Sequence, residues 1–325
     1  MHIFKQPISF YISCFFLVVL GCSAQDNSNL HLADPTIFHH EDTYYLYGTL
    51  NDPDIQGEGF VVYTSKDLES WERDSSTNDG FALKKGDAFG TQGFWAPQVL
   101  HYMDKFYMIY TADEQIAIAS SNSPLGPFSN ESKTALQARD KQIDPFIFID
   151  EDGRKYLYHV RLKDGNKIYV AELEEDLSGI KPATLTQCIA AQEDWEDTAR
   201  VEWPVAEGPT VFKRDDLYYM IYSANDFRNP DYAVGYATAT SPFGPWTKAK
   251  DNPILHGNMI GQGGAGHGDL IKGPGGVIHY VFHTHYDQEK VHPRKTAIIE
   301  LNITDGLNKD SGIQIITNTF RFLKK

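Results

Sequence analysis

Cysteine is nearly absent. Cys14, Cys22 and Cys188 are too few and too scattered for a disulfide framework. Burial of apolar surface must therefore hold the fold, which a chain of 325 residues can supply. Positive charge is also scarce: 29 Lys and Arg stand against 44 Asp and Glu, for a formal net charge of -15. No dense basic patch stands out, so a nucleic-acid partner is excluded from the expectations. Long apolar runs are missing too. The one from Ile8 to Leu20 is too short to span a bilayer comfortably. Nowhere do apolar residues recur at helical spacing over three turns. What is plentiful is glycine and tyrosine, with tyrosines in short runs between turn residues, and that balance favours an all-β chain.

The N-terminus stands apart from the fold. Lys5 precedes the apolar run, and Val19-Leu20-Gly21-Cys22-Ser23 closes it. This start resembles a bacterial lipoprotein signal. The resemblance implies cleavage before Cys22, lipid on its thiol, and a place at the cell envelope (periplasm or outer membrane). Membrane contact would then run only through that anchor; plain secretion with cleavage near Ala24 is the alternative. Residues 1–21 read as signal, 22–30 as a polar tether, and 31–325 as one folded domain, expected to act as a monomer.

One phrase recurs along that domain. A strand opens with Pro or Gly, a tight turn follows, and a second strand rich in Tyr and Ile comes back. Ala33-Asp34-Pro35, Trp95-Ala96-Pro97, Ile143-Asp144-Pro145, Glu207-Gly208-Pro209 and His267-Gly268-Asp269 open the copies, about 60 residues apart. A third strand follows each: Gly59 to Tyr63, Ile116 to Ala119, Ile168 to Ala171, Tyr232 to Ala237 and Thr296 to Glu300. Units of three or four antiparallel strands at this pitch predict a five-bladed β-propeller, because each blade alone leaves both faces bare and stacking in a ring buries them. The first strand of a blade runs nearest the axis. Asp34, Ala96, Asp144, Glu207 and the His267 turn should therefore meet at one mouth of the channel.

Three acids at one mouth are costly unless they are used, since like charges repel and burial raises the cost. Cleavage of a glycosidic bond uses them: one carboxylic acid protonates the leaving oxygen and one carboxylate activates water or attacks. Asp34-Pro35, Ile143-Asp144-Pro145 and Glu207-Gly208-Pro209, with Phe94-Trp95-Ala96-Pro97 between them, resemble glycoside hydrolase family 43 over residues 31 to 300. The resemblance implies a five-bladed propeller that hydrolyses arabinan, xylan or galactan glycosides with inversion. It assigns Asp34 as general base, Glu207 as general acid, and Asp144 as the group that tunes and orients Glu207.

Trp95 is a candidate floor for a sugar ring, with a core position between blades as the alternative. The resemblance makes Arg294 a substrate contact and places His267 in the channel beside a structural calcium. A lone neutral His is by itself a poor calcium set, and the chemistry needs no cofactor. His285 is a candidate pocket residue, with strand packing the alternative. Asn51-Asp52-Pro53 and Glu193 to Asp197 read as loops, and His39-His40 as surface. The expected substrate is an oligosaccharide or polysaccharide of the plant cell wall. The expected activity is release of a terminal pentose, first α-L-arabinofuranose, with β-xylosidase or galactan- and galactofuranoside-cleaving activity next. A non-catalytic sugar-binding propeller is the reading from another class. Segments 74–93 and 186–204 look like insertions that wall the pocket for exo action.

Overall fold

The computed structural model describes residue 2 and residues 28–73, 75, 78–304 and 312–325. Apart from residue 2, the signal lies outside these residues, as does Cys22. Five antiparallel sheets form five blades in chain order. Blade 1 is Leu32–His40, Thr43–Leu50, Tyr63–Ser65 and Glu72–Arg73. Blade 2 is Trp95–Tyr102, Lys105–Ala112 and Gln115–Ser121. Blade 3 is Gln142–Ile149, Lys155–Leu162, Asn166–Glu172 and Thr186–Ala190. Blade 4 is Ala206–Arg214, Leu217–Ala224, Ala233–Ala239 and Thr247–Lys248, with Leu255–His256 also on the third strand. Blade 5 is Gly266–Lys272, Ile278–Thr284, Lys295–Ile303 and Ile313–Phe322. The first strands touch their neighbours in a closed ring, as the five-bladed arrangement requires.

The core is correspondingly divided into wedges, one between each pair of blades. Tyr47, Met108 and Tyr110 lie between blades 1 and 2, and Ile109, Ile147 and Leu157 between 2 and 3. Tyr158, Val170 and Met220 lie between 3 and 4, Tyr219, Phe282 and Ile299 between 4 and 5, and Leu46, Val281 and Trp71 between 5 and 1. Alternation along each strand sends successive side chains into successive wedges, so both faces of a blade are apolar. The ring closes through its ends. Leu30 N–H donates to Leu323 O, Thr296 N–H to Leu30 O, and Lys325 Nζ meets Asp52 at 2.7 Å.

Several details differ from the sequence reading. The strand expected over Gly59 to Tyr63 breaks at Val62. Gly59–Val61 pairs with Phe81–Lys84, and Tyr63–Ser65 returns to blade 1. Segment 186–204 is not all insertion, since Thr186–Ala190 is the fourth strand of blade 3. Glu196, read as part of a solvated loop, is fully buried, where it meets Lys248 Nζ at 2.5 Å and accepts from Tyr222 at 2.6 Å.

Candidate active site

Each first strand begins with a β-bulge: the register slips between Ala33 and Thr36, Trp95 and Gln98, Ile143 and Phe146, Glu207 and Thr210, and Gly266 and Asp269. Asp34, Ala96, Asp144, Gly208 and His267 occupy the left-handed region there, with φ of 47, 45, 53, 60 and 44°. Non-glycine residues hold that conformation only when their surroundings compel it, and a bulge re-aims the side chain it carries. The residue matching Pro35 in blade 5 is therefore Gly268, one earlier than Asp269. Glu207 also sits one place before the Asp34 and Asp144 positions, in the slot held elsewhere by Ala33, Trp95, Ile143 and Gly266. That offset separates the single Glu from the two Asp. Gly208 is required as glycine: a Cβ on it would lie 2.8 Å from the His267 ring.

The strained residues are clasped from the preceding blade, with blade 5 clasping blade 1. On four of the five second strands the residue that ends the bulge register accepts the bulge N–H of the following blade. Ala96 N–H donates to Thr49 Oγ1 (2.9 Å), Asp144 N–H to Thr111 Oγ1 (3.0 Å), and His267 N–H to Ser223 Oγ (2.8 Å). Asp34 N–H donates to His283 Nδ1 (3.1 Å). In blade 3 the clasping position is Val160, which cannot accept. Asp144 does so instead: Gly208 N–H donates to its Oδ2 at 3.3 Å. Asp144 is thus tied to the chain segment that carries Glu207.

The acids differ electrically. Burial opposes ionisation of Asp34. Arg294 outweighs it together with His267, His283 and a hydrogen bond from Thr49, so its carboxyl lies well below the usual range. Arg294 Nη1 is 3.3 Å from Asp34 Oδ1, and the Thr49 hydroxyl donates to Oδ2 at 2.6 Å. Asp144 is pushed well above the carboxylate range by burial, then by Glu207 and Asp34. Burial likewise pushes Glu207 up to about 7, helped by Asp34 and Asp226 and opposed by hydrogen bonds from Tyr232 and Asn166. One carboxylate is therefore ionised at neutral pH, while Asp144 and Glu207 are both driven toward retaining a proton.

These groups face a cavity of about 500 Å³ lined by Asp34, Trp95, Asp144, Trp203, Glu207 and Arg294, among others. Larger grooves on the outer side of blades 2 and 3 hold none of the three acids. Trp95 is 38 % exposed, on the cavity wall and not in a core wedge. Arg294 is buried, with its guanidinium 4.6 Å above the Phe227 ring. His285 is misplaced by the sequence reading. The second strand of blade 5 ends at Thr284, and His285 turns under the Gly263-Gly264 run, its Nε2 2.7 Å from Phe227 O. His283, two residues earlier, is the one that reaches Asp34. None of the described residues of segment 74–93 lines the wall, whereas Trp203 from 186–204 does. Trp203, Asn166 and Tyr232 were not singled out from the sequence as site residues; only the acid three residues after Pro204 hinted at the first.

His267 Nδ1 lies 3.4 Å from Asp34 and 3.8 Å from Asp144, and its ligand atoms with those of Asp144 and Glu207 fall within 4.8 Å of one another. Calcium takes six to eight oxygens. Here the protein alone would offer one imidazole and the carboxyl groups of Asp144 and Glu207, well short of that number. These residues supply too few oxygens to hold a calcium ion by themselves.

Asp269, inside the channel, has no cation beside it among the described residues. Its carboxyl accepts from Thr36 (2.6 Å) and Leu270 N–H (2.7 Å), and burial pushes it up to about 6. The folded state then holds a proton that the unfolded chain releases near 4. Stability from this group is full below pH 4 and lost as pH rises to about 6, a change of about 3 kcal/mol. Asp269→Asn should remove that slope and be the more stable protein at pH 7; urea unfolding at pH 4.5 and 7 measures both. An unchanged slope would refute the assignment.

Comparison with known proteins decides the family. The profile of the glycosyl hydrolases family 43 matches residues 28–308. The chain belongs to that family. A solved structure of an endo-1,4-beta-xylanase from Bacteroides thetaiotaomicron superposes with a TM-score of 0.83 at 41% identity, covering 91% of this chain and 97% of that one. A beta-D-galactofuranosidase of Aspergillus niger is 25% identical over 82% of this chain and 78% of its own. An extracellular exo-alpha-(1->5)-L-arabinofuranosidase of Cellvibrio japonicus is 24% identical over 63% of this chain and 61% of its own. Family-43 membership makes the chain a glycoside hydrolase acting on oligosaccharides or polysaccharides, and the relatives span several glycosides.

Proposed function

We propose that this family-43 enzyme is an inverting exo-glycosidase that removes terminal pentose from plant cell-wall polysaccharides, with α-L-arabinofuranose as its first substrate. The observation that carries the mechanism is the split between Asp34, ionised against Arg294, and Glu207, driven toward protonation by burial. A glycoside bound against Trp95 places its ring between them. Glu207 gives its proton to the leaving oxygen as the bond breaks. Asp34 takes a proton from a water, whose oxygen attacks C1 from the opposite face. The free sugar leaves with inverted configuration, Glu207 as carboxylate and Asp34 protonated; exchange with solvent resets both. Asp144, fixed on Gly208 N–H, holds the segment bearing Glu207 and raises the cost of a second negative charge there.

Xylosides are the second reading, favoured by the 41% identity to a protein named as a xylanase. Nitrophenyl α-L-arabinofuranoside, β-xyloside and β-galactofuranoside, with arabinan and xylan beside them, separate the substrates. Release of single arabinose units from chain ends is expected. Proton NMR during the first minutes should show the inverted anomer. A retained anomer would remove Asp34 from the role of base, and internal cleavage of arabinan would end the exo reading.

A further inference from the structure

Two hydrogen bonds run from the cavity wall to Glu207. Trp203 Nε1–H donates to Asn166 Oδ1 at 2.8 Å, and Asn166 Nδ2–H donates to Glu207 Oε2 at 3.0 Å. The other oxygen, Oε1, accepts from the Tyr232 hydroxyl at 2.9 Å. Local structure holds the pair in place. Asn166 opens the third strand of blade 3, its N–H donating to Pro204 O at 2.9 Å, and it bridges to Val205. Gly165 lets the two segments approach, since a Cβ there would lie 2.6 Å from Pro204 O. Trp203 is 47 % exposed and lines the cavity, whereas Asn166 is buried.

The chemistry of the three groups fixes the direction of both bonds. An indole N–H donates and never accepts. Asn166 must therefore turn its oxygen to Trp203 and its NH2 to Glu207. An NH2 group cannot accept a proton-sharing bond from a carboxylic acid. Without the indole N–H, that orientation loses one of its two hydrogen bonds, and a protonated Glu207 no longer favours the other. The amide can turn over, and Oδ1 then accepts a bond from protonated Glu207, tying up the proton that must be given away.

We propose that Trp203 and Asn166 are positioning residues: the indole N–H locks the Asn166 amide so that the Glu207 proton stays free for the leaving group. The inference rests on Glu207 being the proton donor. Trp203 sits beside the donor with its ring in the cavity. Asp34, Asp144, Asp226, His267 and Tyr232 also face Glu207, and all are left intact by the changes below.

Trp203→Phe keeps a ring on the wall and removes only the N–H. It is compared with Asn166→Leu, with the double variant and with Glu207→Gln. The substrates are aryl and alkyl glycosides of the cleaved sugar, from dinitrophenyl, which departs without a proton, to methyl, which needs one. For Trp203→Phe, kcat/KM should hold within about twofold on the dinitrophenyl glycoside and fall about tenfold on the methyl glycoside. Its alkaline limb should move up by about half a pH unit, because the turned amide favours the protonated acid. The double variant should be no slower than Asn166→Leu, since the lock has nothing left to hold. An equal fall on all substrates with an unmoved alkaline limb would make Trp203 a wall and overturn the proposal, as would additive losses in the double variant. If Glu207→Gln itself shows no leaving-group dependence, the proton-donor reading fails first, and the two failures are told apart. Melting temperatures within a few degrees of wild type establish that each variant folds.

Discussion

Glu207→Gln is expected to lower kcat/KM on substrates with poor leaving groups by about 100- to 10,000-fold, the range over which general acid catalysis acts. The substitution keeps the shape of the site. Gln can offer its oxygen to Asn166 Nδ2 and its NH2 to the Tyr232 hydroxyl, which can accept as well as donate. A loss of activity is then a loss of the proton and not of the fold. The pH profile gives the sharper test. Wild-type kcat/KM should fall on the alkaline side as Glu207 loses its proton near 7. On the acid side it should persist until Asp34 takes one up, well below the ordinary carboxylate range. In Glu207→Gln the remaining activity should lack the alkaline limb that wild type shows on alkyl glycosides. If the limb survives in the variant, another group sets it, and Asp144 becomes the candidate.

That test depends on an arrangement only part of which could be read from the chain. The propeller was legible because its unit is local. A turn, a Pro-led strand and a Tyr-rich return strand lie within about twenty residues, and the unit recurs. The acids were legible for the same reason, each being the strained residue, or its neighbour, at the start of a first strand. The one-residue offset of Glu207 was not, because a bulge changes register without changing composition. The residues that tune the acids escaped for another reason. His283 comes from a second strand and Asn166 from a third, Tyr232 lies just before another third strand, and Trp203 sits in a loop. Each looks like an ordinary strand or loop residue until the ring closes. His285 shows the converse. Period-two alternation from His283 would aim it at the pocket, but the strand stops first, and pattern alone cannot say where a strand stops.

The second large effect is expected at Asp34, where charge serves both the reaction and the fold. Asp34→Asn removes the base, and kcat/KM should fall by about 100- to 10,000-fold on every substrate whatever its leaving group, unlike Glu207→Gln. Asp34→Ala should do more. It strips the buried Arg294 of its carboxylate partner, leaving the Phe227 face and His283 beside the guanidinium among the described residues, and should cost about 3 kcal/mol of stability. The sign with pH follows from the lowered carboxyl. In the unfolded chain Asp34 takes up a proton near 4, and in the folded protein only at lower pH. Its stabilisation is therefore present above pH 4 and lost as pH falls below it. Asp34→Asn should accordingly lose less stability than wild type between pH 4 and 2. The same substitution removes the negative charge that helps hold Glu207 up near 7, so Glu207 should ionise at lower pH in it. Carbon-13 NMR of labelled Glu side chains would read that shift directly. A Glu207 that titrates unchanged in Asp34→Asn would mean that the two carboxyls do not feel each other across the site, and the division of labour between base and acid would need another cause.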